Sequence, residues 1–209
     1  MTVVDPPSPE ASARQARECE LALVAGLRRR DPSAFDEVHA AFNTRLFNFL
    51  ARLSGSRQVA EDLLEETWLR LVARAPRLRP DTRLAPWLFT VARNLYVSYR
   101  RSRVMEDSHA AGLIGLWPSG SPVPSPYEWT AANEVERRLD TALRALPVSC
   151  REALLLVAIE GQSPAAAAAI CGISPEAMRQ RLSRARALLA KKLDESDAPA
   201  LAALKAVTT

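Results

Sequence analysis

The stretch SPAAAAAICGISPEAMRQRL, residues Ser163 to Leu182, decides the fold. Ser163 can cap a helix that Pro164 opens, because proline lacks only an N–H that the first turn leaves unpaired anyway. Gly172 supplies the left-handed residue of a tight turn. Ser174 and Pro175 then repeat the start signal for a second helix. Two short helices across a glycine turn, with Ala168 at the crossing and Ile173 and Met178 in a shared core, predict a helix-turn-helix.

The second helix continues through SRARALLAKKL to Leu193 and carries Arg179, Arg181, Arg184 and Arg186 against Glu176. Turned at about 100° per residue, Met178, Leu182, Ala185 and Leu189 fall on one stripe that faces the core. Glu176, Ala177, Arg179, Gln180, Ser183 and Arg184 cover the opposite arc, and Arg181 and Arg186 flank the stripe. Exposed early positions of such a helix suit the major groove, and arginines suit phosphates. The competing reading is an amphipathic helix with a basic solvent face.

The remainder of the chain bears on that choice. Its 209 residues are 48% hydrophobic and 25% charged, with a net charge of +4, which is globular and mildly basic. The charge is uneven. Residues 162–193 hold six Lys/Arg and one acid, residues 86–103 hold four Arg and no acid, and residues 104–136 hold five acids and no Lys or Arg. Two basic blocks separated by an acidic segment suggest two contacts with a polyanion.

Apolar periodicity is helical throughout. Helices are predicted over about 14–30, 33–53, 58–75 and 86–103, and again from about Ala131, with breaks at Pro147 and Gly161. The segment SHAAGLIGLWPSGSPVPSPYEW between them has four prolines and three glycines and reads as a linker. The fold class is therefore all-α, two small helical domains joined by a proline-rich linker, the second containing the helix-turn-helix. The expected division is a mobile extension at 1–19, a first domain at 20–103, an acidic linker at 104–133, a second domain at 134–193 and a tail at 194–209.

Cys19, Cys150 and Cys171 are odd in number and widely spaced, so neither a disulfide framework nor a zinc site is expected. They fit a reducing, cytoplasmic compartment. Buried cysteine commonly packs as a small hydrophobe, which disfavours a redox role for Cys150 and Cys171. The N-terminus does not read as a signal peptide, and no apolar run approaches the ~20 residues of a membrane span. His39 and His109 are the only histidines. Without a metal-ligand spacing, a Gly-rich phosphate loop or a nucleophile beside a base, an enzyme, a metal and a cofactor are not expected.

Two helices of the first domain carry further patterns. In PWLFTVARNLYVSYRRSR, Leu88, Val91, Ala92, Leu95 and Tyr99 form an expected buried stripe. Phe89, Arg93, Tyr96 and Arg100 lie opposite, with Trp87, Thr90, Asn94 and Arg101 beside them. Rings interleaved with arginines suit single-stranded nucleic acid, stacking on unpaired bases and neutralising the backbone. In AEDLLEETWLRLVAR, Ala60, Leu63, Leu64, Trp68, Leu71 and Val72 form an expected buried face. Asp62, Glu65 and Glu66 project elsewhere, around an exposed Leu69. Acids around a leucine repel DNA and suit a basic protein partner.

DPSAFDEVHAAF, AEDLLEETWLRL, APWLFTVARN and RRSR, followed by LRALPVSCREALLLVAIEGQSPAAAAAICGISPEAMRQRLSRARALL, resemble the extracytoplasmic-function (ECF) group of bacterial RNA polymerase sigma factors. The similarity covers about residues 20–103, as region 2, and 134–193, as region 4. It implies a non-catalytic polymerase subunit that recognises and melts promoters. Asp62, Glu65, Glu66 and Leu69 would bind the clamp of core RNA polymerase. Trp87, Phe89, Arg93, Asn94, Tyr96, Arg100 and Arg101 would melt and read the minus-ten element, with Asn94 near a flipped base. Glu176, Ala177, Arg179, Gln180, Arg181, Ser183 and Arg184 would read the minus-thirty-five element as duplex. The acidic linker would thread into the polymerase, and an anti-sigma protein is an implied partner. Glu65 stands where the family often has Gln, and the alanine-rich helix 164–171 lacks the usual acids. The alternative is a stand-alone helix-turn-helix regulator, which would have no need of the AEDLLEETW and APWLFTVARN pair.

Overall fold

Asp31 and Ser56 convert local sequence into helix starts. The Asp31 carboxylate accepts from the backbone N–H of Ser33 at 3.0 Å and from its hydroxyl at 2.8 Å, which opens α2 (Pro32–Ser54). The same bonds from Ser33 hold the Asp31 carboxyl below the usual carboxylate range. Ser56 caps α3 (Arg57–Arg74) by accepting from the N–H of Val59 at 3.4 Å. Between these helices Gly55, at φ 75°, ends α2 by donating to the Ala51 carbonyl.

The structure is a computed structural model that describes the backbone of residues 9–111 and 134–207, with side chains over 10–104 and 137–194. Its described elements are all helical, as expected. The segments of the expected extension, linker and tail that lie at 1–8, 112–133 and 208–209 fall outside the described residues.

α1 (Pro9–Arg28) begins at Pro9 rather than near Arg14, inside the segment expected to be mobile. Arg17 ties it down by donating to the Asp81 carbonyl at 2.8 Å. Glu20, one helical turn on, accepts from the N–H of Leu84 at 2.8 Å and pairs with Arg83 at 3.1 Å. Leu84 opens α4 (Leu84–Ala111), so a carboxylate from α1 sits at the positive end of the α4 dipole. α1 and α2 approach closely at Gly26, where a Cβ would stand 2.6 Å from the Cβ of Ala34. A short 3₁₀ turn, Ala75–Arg77, joins α3 to the loop before α4. α4 continues past Arg103 to Ala111, into the segment assigned to the linker.

The second domain comprises α5 (Glu134–Arg144), α6 (Val148–Leu154), a widened π-helical turn at Leu155–Ile159, α7 (Pro164–Cys171) and α8 (Pro175–Val207). α5, α6 and α7 each pack on α8, which extends beyond Leu193 through most of the expected tail. The two domains are in direct contact, α4 against α7 and α2 against α5 and α6. One apolar cluster runs through both, from Phe49, Leu53 and Phe89 to Leu146, Leu154 and Met178. The two helical units are as expected, but this packing is not, because it joins apolar residues that each domain could bury by itself, α7 among them, with charged pairs that read as surface.

Candidate functional site

The helix-turn-helix forms as its caps and turn dictate. Ser163 accepts from the N–H of Ala166 and Ser174 from that of Ala177, each at 3.1 Å. Gly172 adopts φ 65°, and Ile173 donates back to the Ala168 carbonyl at 3.0 Å. Met178, Leu182 and Ala185 are buried, which turns the opposite arc of α8 outward. Glu176, Arg179, Gln180, Ser183 and Arg184 are exposed, and Ala177 is half-buried. Arg179 donates to Glu176 at 2.6 and 3.1 Å, and this pairing lowers the Glu176 carboxyl.

Arg181 lies beside the buried stripe, as expected. It is half-buried and turns inward, 3.6 Å from Glu152 of α6. The same carboxylate accepts from Arg93 of α4 at 2.8 Å. One buried glutamate thus joins an arginine assigned to the minus-ten face with one assigned to the minus-thirty-five face. Sequence reasoning missed Glu152, since an acid beside an apolar run in REALLLVAIE looks like an ordinary surface residue.

α4 also departs from the single-stripe reading. Phe89 is 0% exposed and meets Phe49 edge-on at 5.2 Å, in the core of the first domain. Tyr96 is buried too, and that burial raises its phenol, with Arg100, Arg151 and Glu152 nearby. Both were expected on the exposed side of the helix. The physical reason is that α4 is covered on two sides, by α2 and α3 within its own domain and by α7 from the second. Val91, Leu95 and Tyr99, expected in the core, are half-buried instead. Asn94, Arg100 and Arg101 are exposed and Trp87 is half-buried, so the open face of α4 is polar and basic with fewer rings than expected. Asn94 also accepts from Arg93 at 3.3 Å.

On α3, Asp62 and Glu65 are exposed and Leu69 is 57% exposed, as expected. Val72, expected in the core, is also 57% exposed. Leu69 and Val72 line a shallow apolar groove with Phe35, Leu64 and Trp68, rimmed by Glu61 and Glu65. Trp68 is fixed beneath it by donating to Asn43 at 3.0 Å and by the His39 ring at 4.8 Å. Glu66 is half-buried and paired with Arg70 at 2.6 Å, so it offers less free charge than Asp62 or Glu65. Exposed apolar side chains inside an acidic rim suit a basic protein surface.

Cys150 and Cys171 are buried and unbridged. Burial, with Glu152 beside it, pushes the Cys171 thiol up to about 12, which removes the thiolate that redox chemistry needs. Among the described residues no cluster of His, Cys, Asp or Glu could hold a metal ion. Nor is any described helix long and apolar enough to cross a membrane.

Comparison with known proteins agrees with this arrangement. Family models described as Sigma-70 region 2 and Sigma-70, region 4 match residues 39–104 and 136–189. The chain is 38% identical over 158 residues to the ECF RNA polymerase sigma factor EcfG of Rhodopseudomonas palustris, covering 76% of this chain and 83% of that one. It is 34% identical over 162 residues to the RNA polymerase sigma factor CarQ of Myxococcus xanthus, covering 78% and 90%. Among solved structures, the sigma factor RpoE in complex with the anti-sigma factor NepR from Bartonella quintana superposes with TM-score 0.64 at 29% identity, over 77% of this chain and 96% of that one. CnrH in complex with the cytosolic domain of CnrY shares the fold at TM-score 0.63 and 24% identity, over 84% and 97%. A two-domain helical protein with these regions in this order is a transcription initiation factor. The chain belongs to the ECF group of RNA polymerase sigma factors. As such it binds core RNA polymerase and directs initiation at specific promoters.

Proposed function

We propose that the groove on α3, with Asp62, Glu65, Glu66 and Leu69, is the surface that docks on core polymerase. The observation that carries it is Leu69, more than half exposed beside Val72 and ringed by acids. Trp87, Asn94, Arg100 and Arg101 contact the melted minus-ten strand, with Asn94 reading a flipped base, and Arg93 joins them when released from Glu152. Phe89 and Tyr96 support that helix from within. Glu176, Ala177, Arg179, Gln180, Ser183 and Arg184 read the minus-thirty-five duplex, and Arg181 joins them only when released from Glu152. Residues 20–103 and 134–193 are the two working domains, and 104–133 links them through the polymerase. The chain acts in the cytoplasm and performs no catalytic step itself. An anti-sigma protein is a fitting partner, since RpoE, 29% identical, was crystallised with one.

The test is run-off transcription with purified core polymerase on genomic fragments, with and without the chain. Discrete starts that depend on the chain are expected, and their aligned upstream sequences give both promoter elements. Duplex binding without any such start would instead favour a stand-alone regulator.

A further inference from the structure

α1 ends in a Schellman turn, in which the Arg30 N–H donates to the Leu27 carbonyl at 3.0 Å and the Asp31 N–H to that of Gly26 at 3.1 Å. The turn holds Arg30 at φ 61°. Glycine adopts this left-handed conformation freely, whereas a residue with a Cβ is strained in it. Among the described residues every other positive-φ position is a glycine. Arginine therefore stands where the backbone alone would select glycine. Strain kept at an exposed side chain is a sign of use.

The surroundings indicate which use. Arg28, Arg29 and Arg30 are consecutive and all exposed. Asp31, the acid next to them in the chain, is engaged in capping α2 through Ser33. α3 runs back along α2, with Trp68 against Phe35 at 5.9 Å, and the 3₁₀ turn that follows it packs on α1. Arg74 and Arg77, both exposed, are thus carried to the same end of the domain. Against these five arginines that end has Asp31, Asp36 and Glu37, so it is net positive and suits a polyanion. The groove of α3, rimmed by acids, suits a basic protein surface instead. The two faces call for different partners.

The start of α4 gives the partner its identity. Glu20 of α1 accepts from the N–H of Leu84, the first residue of α4, at 2.8 Å. Arg28 lies eight residues further along α1, about 12 Å at 1.5 Å per residue. That span equals roughly three or four nucleotides at 3.4 Å each.

We propose that Arg28, Arg29 and Arg30 form a phosphate-binding cluster for the promoter DNA that flanks the minus-ten element. The cluster holds backbone rather than bases, so it adds affinity whatever the flanking sequence. It rests on the assignment of α4 to that element.

Holoenzyme assembled from core polymerase and the full chain is titrated with a promoter fragment across a salt series. Arg30→Gly is expected to raise the melting temperature of the free chain by about 2–4 °C, because it relieves the turn. The same change is expected to weaken promoter binding roughly fivefold at 0.1 M salt and to lower the salt slope by about one, as loss of one phosphate contact does. Arg30→Lys keeps the charge and should keep the slope. Arg28→Gln combined with Arg29→Gln leaves the turn untouched and should lower the slope by about two. In hydroxyl-radical footprints of that double variant, the lost protection should fall within about four nucleotides of the minus-ten element.

Arg30→Gly holoenzyme with wild-type affinity and slope would overturn the cluster, as would lost protection elsewhere on the promoter. A defect confined to assembly with core polymerase would also overturn it, by making the partner an acidic protein surface. Asn94→Ala in the same titration tests the assignment underneath. Weaker binding by Asn94→Ala but not by Arg30→Gly would remove the cluster alone. Unchanged binding by Asn94→Ala would remove the assignment of α4, and with it the place of the cluster beside that element.

Discussion

Gly172 and Gly26 serve opposite purposes. Gly172 sits at φ 65° with open space around its Cα, so its glycine is required by backbone conformation rather than by crowding. Gly172→Ala is expected to cost about 1–2 kcal/mol, the penalty of a left-handed residue with a Cβ. Thermal unfolding followed by circular dichroism would measure it. Gly26 has no unusual torsion, but a Cβ there would lie 2.6 Å from that of Ala34. Gly26→Ala is expected to destabilise by about 1–3 kcal/mol through overpacking. The paired change Gly26→Ala with Ala34→Gly is expected to recover part of that loss, because the clash is shared by two methyls. Gly172 could be assigned from the sequence, since caps on both sides frame it. Gly26 could not, because nothing in LALVAGLRR says which helix lies against it.

The helices divide in the same way. α8 presents the arc its periodicity predicts, since three of its four stripe residues are fully buried against one domain core. α4 does not, because it is packed from two directions and the second comes from residues far along the chain. A period of 3.6 reports one wet face and one dry face, and fails where both are covered. Val72 fails differently. It is apolar and at core spacing, yet lies exposed in the groove of α3, which we propose docks on polymerase, so there an apolar residue would serve a partner instead of the fold. Leu69→Arg therefore has a clear expectation. Being on the surface, it should change stability by no more than about 0.5 kcal/mol. It should weaken binding to core polymerase by about 2 kcal/mol, near thirtyfold, as a central apolar contact does. Titration of labelled chain with core polymerase, beside a melting curve, would measure both. On α8, Arg184→Ala is expected to lower the salt slope of upstream-duplex binding by roughly one. Gln180→Ala should weaken binding without changing that slope. Binding isotherms across a salt series distinguish the phosphate contact from the base contact.

Docking of the second domain onto the first was the least legible feature of all. Its polar contacts come from Arg45, Arg52, Arg93, Asp140, Arg151, Glu152 and Glu160, residue types that a sequence reading gives to solvent or to nucleic acid, and its apolar ones include α7, which reads as the core of its own domain. Linkage gives this contact a measurable signature at Glu160. Burial raises the Glu160 carboxyl above the ordinary glutamate range, although Arg45 and Arg52 pull it back in part. A carboxyl raised in the folded state binds its proton more tightly there than in the unfolded chain. Its contribution is then most favourable at low pH and is lost as pH rises through the folded value. Above that value the native state holds a costly buried carboxylate; below it, a neutral acid. Glu160→Gln keeps a neutral group at every pH and leaves in place the bond from Arg45 to the Glu160 backbone carbonyl, at 3.2 Å. The variant is therefore expected to match or exceed wild-type stability at pH 8, and its advantage should shrink as pH falls toward 5. Melting temperatures of both chains at these two values test the sign. A variant that instead gained on wild type with acidification would mean that attraction by Arg45 and Arg52, not burial, governs Glu160.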